Sequence, residues 1–293
     1  MRLFSYRHRP AHLGAYPSER LQRQPTAPDL ARVPVMQALD FDAAPADTLA
    51  PALARYMAMF DLVREGAVNP VPAEVSTDPA ERTRHLKAAG LYFDATLVGA
   101  CAVPDAARLQ APLRNPRVAA LGAELEQSQP RSFAAGLDMI LADVLDSARR
   151  EHGPIGTHTH ALVIAVEHPR DPRADEPGSD WIHGIQHERG AVLVAQTAVL
   201  LASYLRLLGH AARSHTATCS EVCLNRLAVA AGLAQADGCH PYLGRRYSLA
   251  AVTTTFELQP DEPLAAVQPR WQTQGPAWWL GLGTGKGALN RSE

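Results

Sequence analysis

Hydrophobic and polar positions change period several times along this chain, and each change predicts an element. Leu53, Tyr56, Met57, Phe60 and Val63 recur at helical spacing, predicting a helix over 49–63. The run 69–79, with its three prolines, ends that pattern, and Asp78 followed by Pro79 is a start signal for a helix reaching Leu91. Residues 95–103 (ATLVGACAV) form an apolar run between Asp94 and Pro104, which reads as a buried strand, and His160–Glu167 reads as a second. Between them, residues 104–131 carry four prolines and read as a long loop. From Ser132, the spacing of Phe133, Leu137, Ile140, Leu141, Val144 and Leu145 predicts an amphipathic helix.

Further along, Asp180 or Ser179 is placed to cap one long helix that ends at Gly209 and is apolar nearly all round from Ala191. Arg213–Thr218 is expected as a short strand. Ser220 is expected to open a helix that ends at Gly232, and residues 247–258 (YSLAAVTTTFEL) are the clearest strand signal. Interleaved helices and strands imply an α/β or layered α+β class, with helices packed on a mixed sheet. The expected organisation is an extended arm over 1–50, one domain over 51–268 and an aromatic, glycine-rich tail over 269–293.

Composition narrows the function classes. With 28 Lys plus Arg against 30 Asp plus Glu, no basic field recruits nucleic acid or anionic lipid. Lys87 and Lys286 are the only lysines, which leaves few candidates for Schiff-base chemistry. Four cysteines (Cys101, Cys219, Cys223 and Cys239) make neither a disulfide scaffold nor two iron–sulfur cubanes, which need eight thiolates. The first residues lack the apolar core of a secretory signal. The stretch 191–208 contains Gln196, Ser203 and Arg206 and falls short of a membrane span. The expectation is a cytoplasmic protein without membrane association.

Several local patterns carry possible chemistry. The segment 281–287 (GLGTGKG) departs from a phosphate-binding loop, because Leu280 and Gly287 stand where glycine and Ser/Thr are required. His158 with His160, and His183 with His187, have strand and helix spacings suited to chelation, against the plainer reading of histidines on surface loops. Cys219 and Cys223 sit four apart near an expected helix start. There a lowered thiolate pKa competes with the simpler reading of a buried thiol. The segment 180–189 (DWIHGIQHER) offers a helix N-terminus to a polar cofactor tail, or is simply capped by Asp180. Arg245 and Arg246 suit an anion or a solvated turn.

Four segments in order carry a resemblance: 85–104 (HLKAAGLYFDATLVGACAVP), 178–190 (GSDWIHGIQHERG), 202–233 (ASYLRLLGHAARSHTATCSEVCLNRLAVAAGL) and 241–264 (PYLGRRYSLAAVTTTFELQPDEPL). Together they resemble the cobalamin-dependent reductive dehalogenases, especially their non-respiratory, cytoplasmic branch. The resemblance implies a nitroreductase-like core, reductive removal of halogen at cobalt, and electrons arriving through iron–sulfur clusters. It also implies that Ser179, Asp180, Trp181, His183 and Gln186, with His215, Thr216, Ser220 and Asn225, line the corrinoid pocket.

Two departures matter. The segment after 264 is not the family's cysteine-rich module, so no iron–sulfur cluster is expected in this chain. Residues 101–110 also lack the tyrosine that the family places after its Val-Gly strand as proton donor. The chain therefore resembles the cofactor-poor N-terminal half of such a protein. It would either bind cobalamin or partner a half that carries cobalamin and iron–sulfur clusters, as a homodimer or in such a pair, with an external electron donor. A non-catalytic scaffold or dimerisation domain, and a flavin-dependent reductase on the same core, are the alternatives.

Overall fold

The computed structural model describes residues 21–26, 28–127, 144–147 and 155–266. Helix α1 (Ala50–Leu62) and helix α2 (Pro79–Tyr92) lie where the periodicity puts them, and the Asp78 carboxylate caps α2 by accepting from Ala80 N at 2.9 Å. The buried face of α1 is Ala50, Ala54, Met57, Ala58 and Asp61, whereas Tyr56 is exposed. Strand β1 (Leu97–Ala102) follows, then β2 (Arg108–Leu113) and helix α3 (Pro116–Gln127). The span 104–131 is thus structured up to 127 rather than a loop. Pro112 is accommodated because β2 joins only the small two-stranded sheet with β5. Of the helix expected from Ser132, only 144–147 are described, and they are helical.

Strand β3 (His160–Glu167), helix α4 (Gln186–Leu207), strand β4 (Ala212–His215), strand β5 (Ser220–Val222), helix α5 (Leu224–Ala230) and strand β6 (Tyr247–Thr254) complete the order. The main sheet runs β1-β3-β6-β4, and every pairing is antiparallel, so it is not the mixed sheet expected. The layered α+β class holds.

Both faces of this sheet are covered. Ala161, Val163 and Ala165 of β3 pack with Leu224, Leu227, Ala228 and Leu233 on one side. Leu162, Ile164 and Val166 pack with Val194, Ala198, Leu201 and Leu205 of α4 on the other. Alternate side chains of one strand therefore feed two cores, which is why β3 reads as an unbroken apolar run. Gly99 of β1 sits where a Cβ would lie 2.5 Å from the Ala231 carbonyl oxygen, so the end of α5 approaches the sheet at glycine only.

By length and composition α4 could cross a membrane, yet it serves as the core helix of this fold, with 61% of its most apolar window buried. Its exposed side carries Leu200, Tyr204 and Leu207.

Candidate functional site

The segment 178–189 is not one helix. Residues Ser179–Ile182 form a single turn after Gly178, whose φ is 82°. The chain then breaks at Gly184, where φ is 76°, before α4 starts at Gln186. That left-handed conformation suits glycine and stops the helix. Neither Ser179 nor Asp180 caps α4, because Ile185 occupies its N-cap without a side-chain bond. The Asp171 carboxylate instead ties the break together, accepting from Gly184 N at 2.8 Å and from Gln186 Nε2 at 3.3 Å. Ser179 is buried and donates to the Ala174 carbonyl at 3.2 Å. Asp180, Trp181 and His183 are exposed, and the Trp181 carbonyl accepts from Leu49 N at 2.9 Å. The break also separates His183 from the helix face that holds His187.

The second segment folds inward. His215, Thr216 and Ser220 are buried to 0%, 1% and 0% exposure. Ser220 begins a strand rather than a helix, and its hydroxyl donates to the Val222 carbonyl at 2.6 Å. Thr216 donates to Asp61 Oδ1 at 2.6 Å, and Thr218 and Asn115 both donate to Asp61 Oδ2. Burial pushes the Asp61 carboxyl up despite these donors.

His215 Nδ1 lies 3.3 Å from Glu221 Oε2 and 3.4 Å from Glu221 N, and Nε2 meets Thr253 Oγ1 at 2.8 Å. The Thr253 hydroxyl also meets His158 Nδ1 at 2.7 Å. Desolvation, with Arg213 adding to it, lowers His158 to about 4. Burial and the nearby Arg64 hold His215 far below the usual imidazole range, so both rings are neutral at pH 7.

Around them lies an ion cluster. Glu221 pairs with Arg64 Nη2, with Arg114 Nη1 at 2.8 Å and with Arg213 Nη1 at 3.7 Å. Burial works against ionising Glu221, but the three guanidinium groups prevail and hold its carboxyl below the usual range. Arg64 Nη1 also donates to Cys219 Sγ at 2.7 Å. Cys219 lies in the turn between β4 and β5 rather than at a helix start, and burial raises its thiol pKa against the pull of Arg64. The expected lowering of that pKa is therefore corrected. Cys219 and Cys223 do not share a helix, since Cys223 is the N-cap of α5. Among the described residues no group of three or more His, Cys, Asp or Glu is arranged to hold a metal ion.

The two segments do converge, but on different residues. A cleft of ≈580 Å³ is bounded by His187 and Glu188 at the start of α4, by Ala217, Leu224 and Asn225, and by Tyr247–Leu249 of β6. Asn225 is the one residue of the expected set that lines it. Residues 33–40 lie along the cleft as its outer wall. They are fastened where Leu39 N donates to Ala217 O at 3.0 Å and where Asn225 Nδ2 donates to Pro34 O at 3.3 Å. Ser248 Oγ, in the lining, meets His168 Nε2 at 2.8 Å, a pair that fits against α4 because position 190 is glycine: a Cβ there would lie 2.8 Å from Ser248 Oγ and 2.8 Å from His168 Cδ2.

Sequence reasoning missed Glu188 and the wall 33–40. Glu188 lies inside the segment 180–189 that the sequence singles out, but it is not among the residues expected to line a site. The wall reads only as a Pro-rich arm.

These residues do not fit a corrinoid. Of the side chains expected to hold it, Ser179, Gln186, His215, Thr216 and Ser220 are spent on bonds within the chain and Asp180, Trp181 and His183 are exposed but do not line the cleft, which has the size of a drug-sized ligand site rather than of a corrin ring with its nucleotide tail. Its carboxylates, Asp40, Glu188 and Asp237, face a single guanidinium, Arg245, which is a poor setting for a phosphate.

No protein-family model and no curated protein matches the chain. Among solved structures it is similar to the catabolic reductive dehalogenase NpRdhA, at 33% identity and a TM-score of 0.64, over 96% of this chain and 34% of that one. The same enzyme in complex with 3-bromo-4-hydroxybenzoic acid matches with a TM-score of 0.61, at 33% identity over 91% of this chain and 32% of that chain. A reductive dehalogenase described in connection with B12-dependent dehalogenation matches with a TM-score of 0.63, at 33% identity over 96% and 34%. The chain thus spans about a third of the length of these structures.

Proposed function

We propose that this chain is a corrinoid-free, non-catalytic half of a reductive-dehalogenase-type assembly. It partners a half that carries cobalamin and iron–sulfur clusters and receives electrons from an external donor in the cytoplasm. Likeness to NpRdhA across nearly the whole chain supports the family side of this reading. One observation carries the corrinoid-free side: His215, Thr216 and Ser220 are fully buried, with their polar atoms paired inside the chain. Opening that site for a cofactor would strip several buried hydrogen bonds, each costing about 1–3 kcal/mol to leave unmade.

The chain's own residues provide positioning rather than proton transfer. Neutral His158 and His215 clamp Thr253 of β6, while Glu221 of β5 pairs with Arg213 of β4, with Arg64 just past the end of α1 and with Arg114 just past β2. Exposed Leu200, Tyr204 and Leu207 of α4, with Tyr56 and Met59 of α1, supply apolar surface for pairing. The buried side of α4 belongs to the core and is not part of that surface.

Titrating the purified chain with cob(II)alamin, followed by its absorption bands and by Trp fluorescence, tests the reading. The expected result is no change at micromolar ligand. Saturable binding in that range would return the chain to the corrinoid-binding alternative. Light scattering of the same sample separates the two kinds of pairing: a monomer is expected if the partner is the cobalamin-bearing half, and a stable dimer would mean that the chain pairs with itself instead.

A further inference from the structure

The cleft has a buried acid in its lining that the scaffold role does not use. Glu188 lines it from the first turn of α4 and is 8% exposed, and its Oε2 has no hydrogen-bonding partner. A carboxylate oxygen left unpaired away from water costs free energy, so such groups normally meet a donor.

The remaining walls describe what would meet it. Val33, Met36, Leu39, Leu224 and Leu249 make the cleft apolar. Asp40 and Asp237 each have one carboxylate oxygen bonded locally, to Asp42 N and to Cys239 N, both at 2.9 Å. Arg245, the only guanidinium in the lining, already donates to the Asp237 carbonyl at 3.0 Å, and burial lowers the His187 imidazole below its usual range. An apolar slot with three acids and one engaged guanidinium selects against anions and for a cation with an apolar body.

We propose that the Glu188 cleft is a binding site for a small organic ammonium ligand, its cationic head donating to Glu188 and its apolar body lying between the wall 33–39 and Leu224 and Leu249. This goes beyond the scaffold role and does not depend on it.

Calorimetric titration of the full chain with phenethylamine, and with phenylacetate as its anionic counterpart, tests the assignment. Phenethylamine is expected to bind with a Kd of about 1 mM or tighter, well within what a ligand of its size can reach, and phenylacetate is expected not to bind. Glu188→Gln should weaken the amine roughly tenfold or more. Leu249→Trp, which fills the slot without touching the acid, should abolish binding and serves if Glu188→Gln does not fold. Equal binding of amine and carboxylate, no binding of the amine at several millimolar, or unchanged affinity in both variants would overturn the site.

Discussion

Glu221→Gln tests the ion cluster that ties β5 to Arg64, just past the end of α1. In the native chain the carboxylate faces Arg64, Arg213 and Arg114, and the Arg64 side chain is 1% exposed and that of Arg213 3%. Arg213 keeps a second partner, since Nη2 donates to Glu65 Oε1 at 2.6 Å, and Arg114 is half in water. Arg64 would keep as acceptors the amide oxygen of Gln and Cys219 Sγ at 2.7 Å, but neither carries a counter-charge, since the thiol is neutral. The amide is nearly the same size, so no cavity contributes and the loss is electrostatic. Breaking a buried pair by removing one partner costs about 3–5 kcal/mol. With an m-value of roughly 2 kcal/mol/M, the urea midpoint should fall by about 1.5–2.5 M at pH 7. Equilibrium denaturation read by circular dichroism and by Trp fluorescence measures this. A loss below about 1 kcal/mol with unchanged m would refute the reasoning, since it would mean water reaches Arg64 and screens it.

Two further predictions follow from the titrating groups. His158 is held at about 4 against 6.5 when unfolded, so the unfolded chain binds more protons between these values. Its contribution to stability is complete above pH 6.5 and is lost as pH falls towards 4. His158→Gln should flatten that part of the stability profile measured by urea melts at stepped pH, and an unchanged slope would count against a neutral buried ring. Burial raises Cys101 to about 12 and also raises Cys219, while Cys223 is fully buried and Cys239 is part-exposed. Native alkylation at pH 8 followed by peptide mass mapping should therefore label Cys239 first, and fast labelling of Cys219 would contradict its burial.

Elements with a local cause were legible in the sequence. The α2 start follows from Asp78 and Pro79, β3 from its unbroken apolar run, and the end of α4 from Gly209, whose φ is 91°. Interleaved elements also pointed to the layered class. Strand direction was not legible, because a strand covered on both faces shows the same run whether its neighbour is parallel or antiparallel. Strand β2 escaped notice because Pro112 argues against a central strand, and only the tertiary arrangement puts it in a separate two-stranded sheet.

The site divides along the same line. The sequence brought the segments near 186 and 215–225 to attention, and both reach the cleft. It could not tell which polar side chains turn inward, because that depends on partners distant along the chain: Asp61 for Thr216, Thr253 for His215 and Arg64 for Glu221. Local pattern sets where helices and strands start and stop, since those signals lie within a few residues. Whether a histidine or a carboxylate serves a ligand or the core is decided by long-range packing, which sets its dielectric surroundings and its hydrogen-bonding partners.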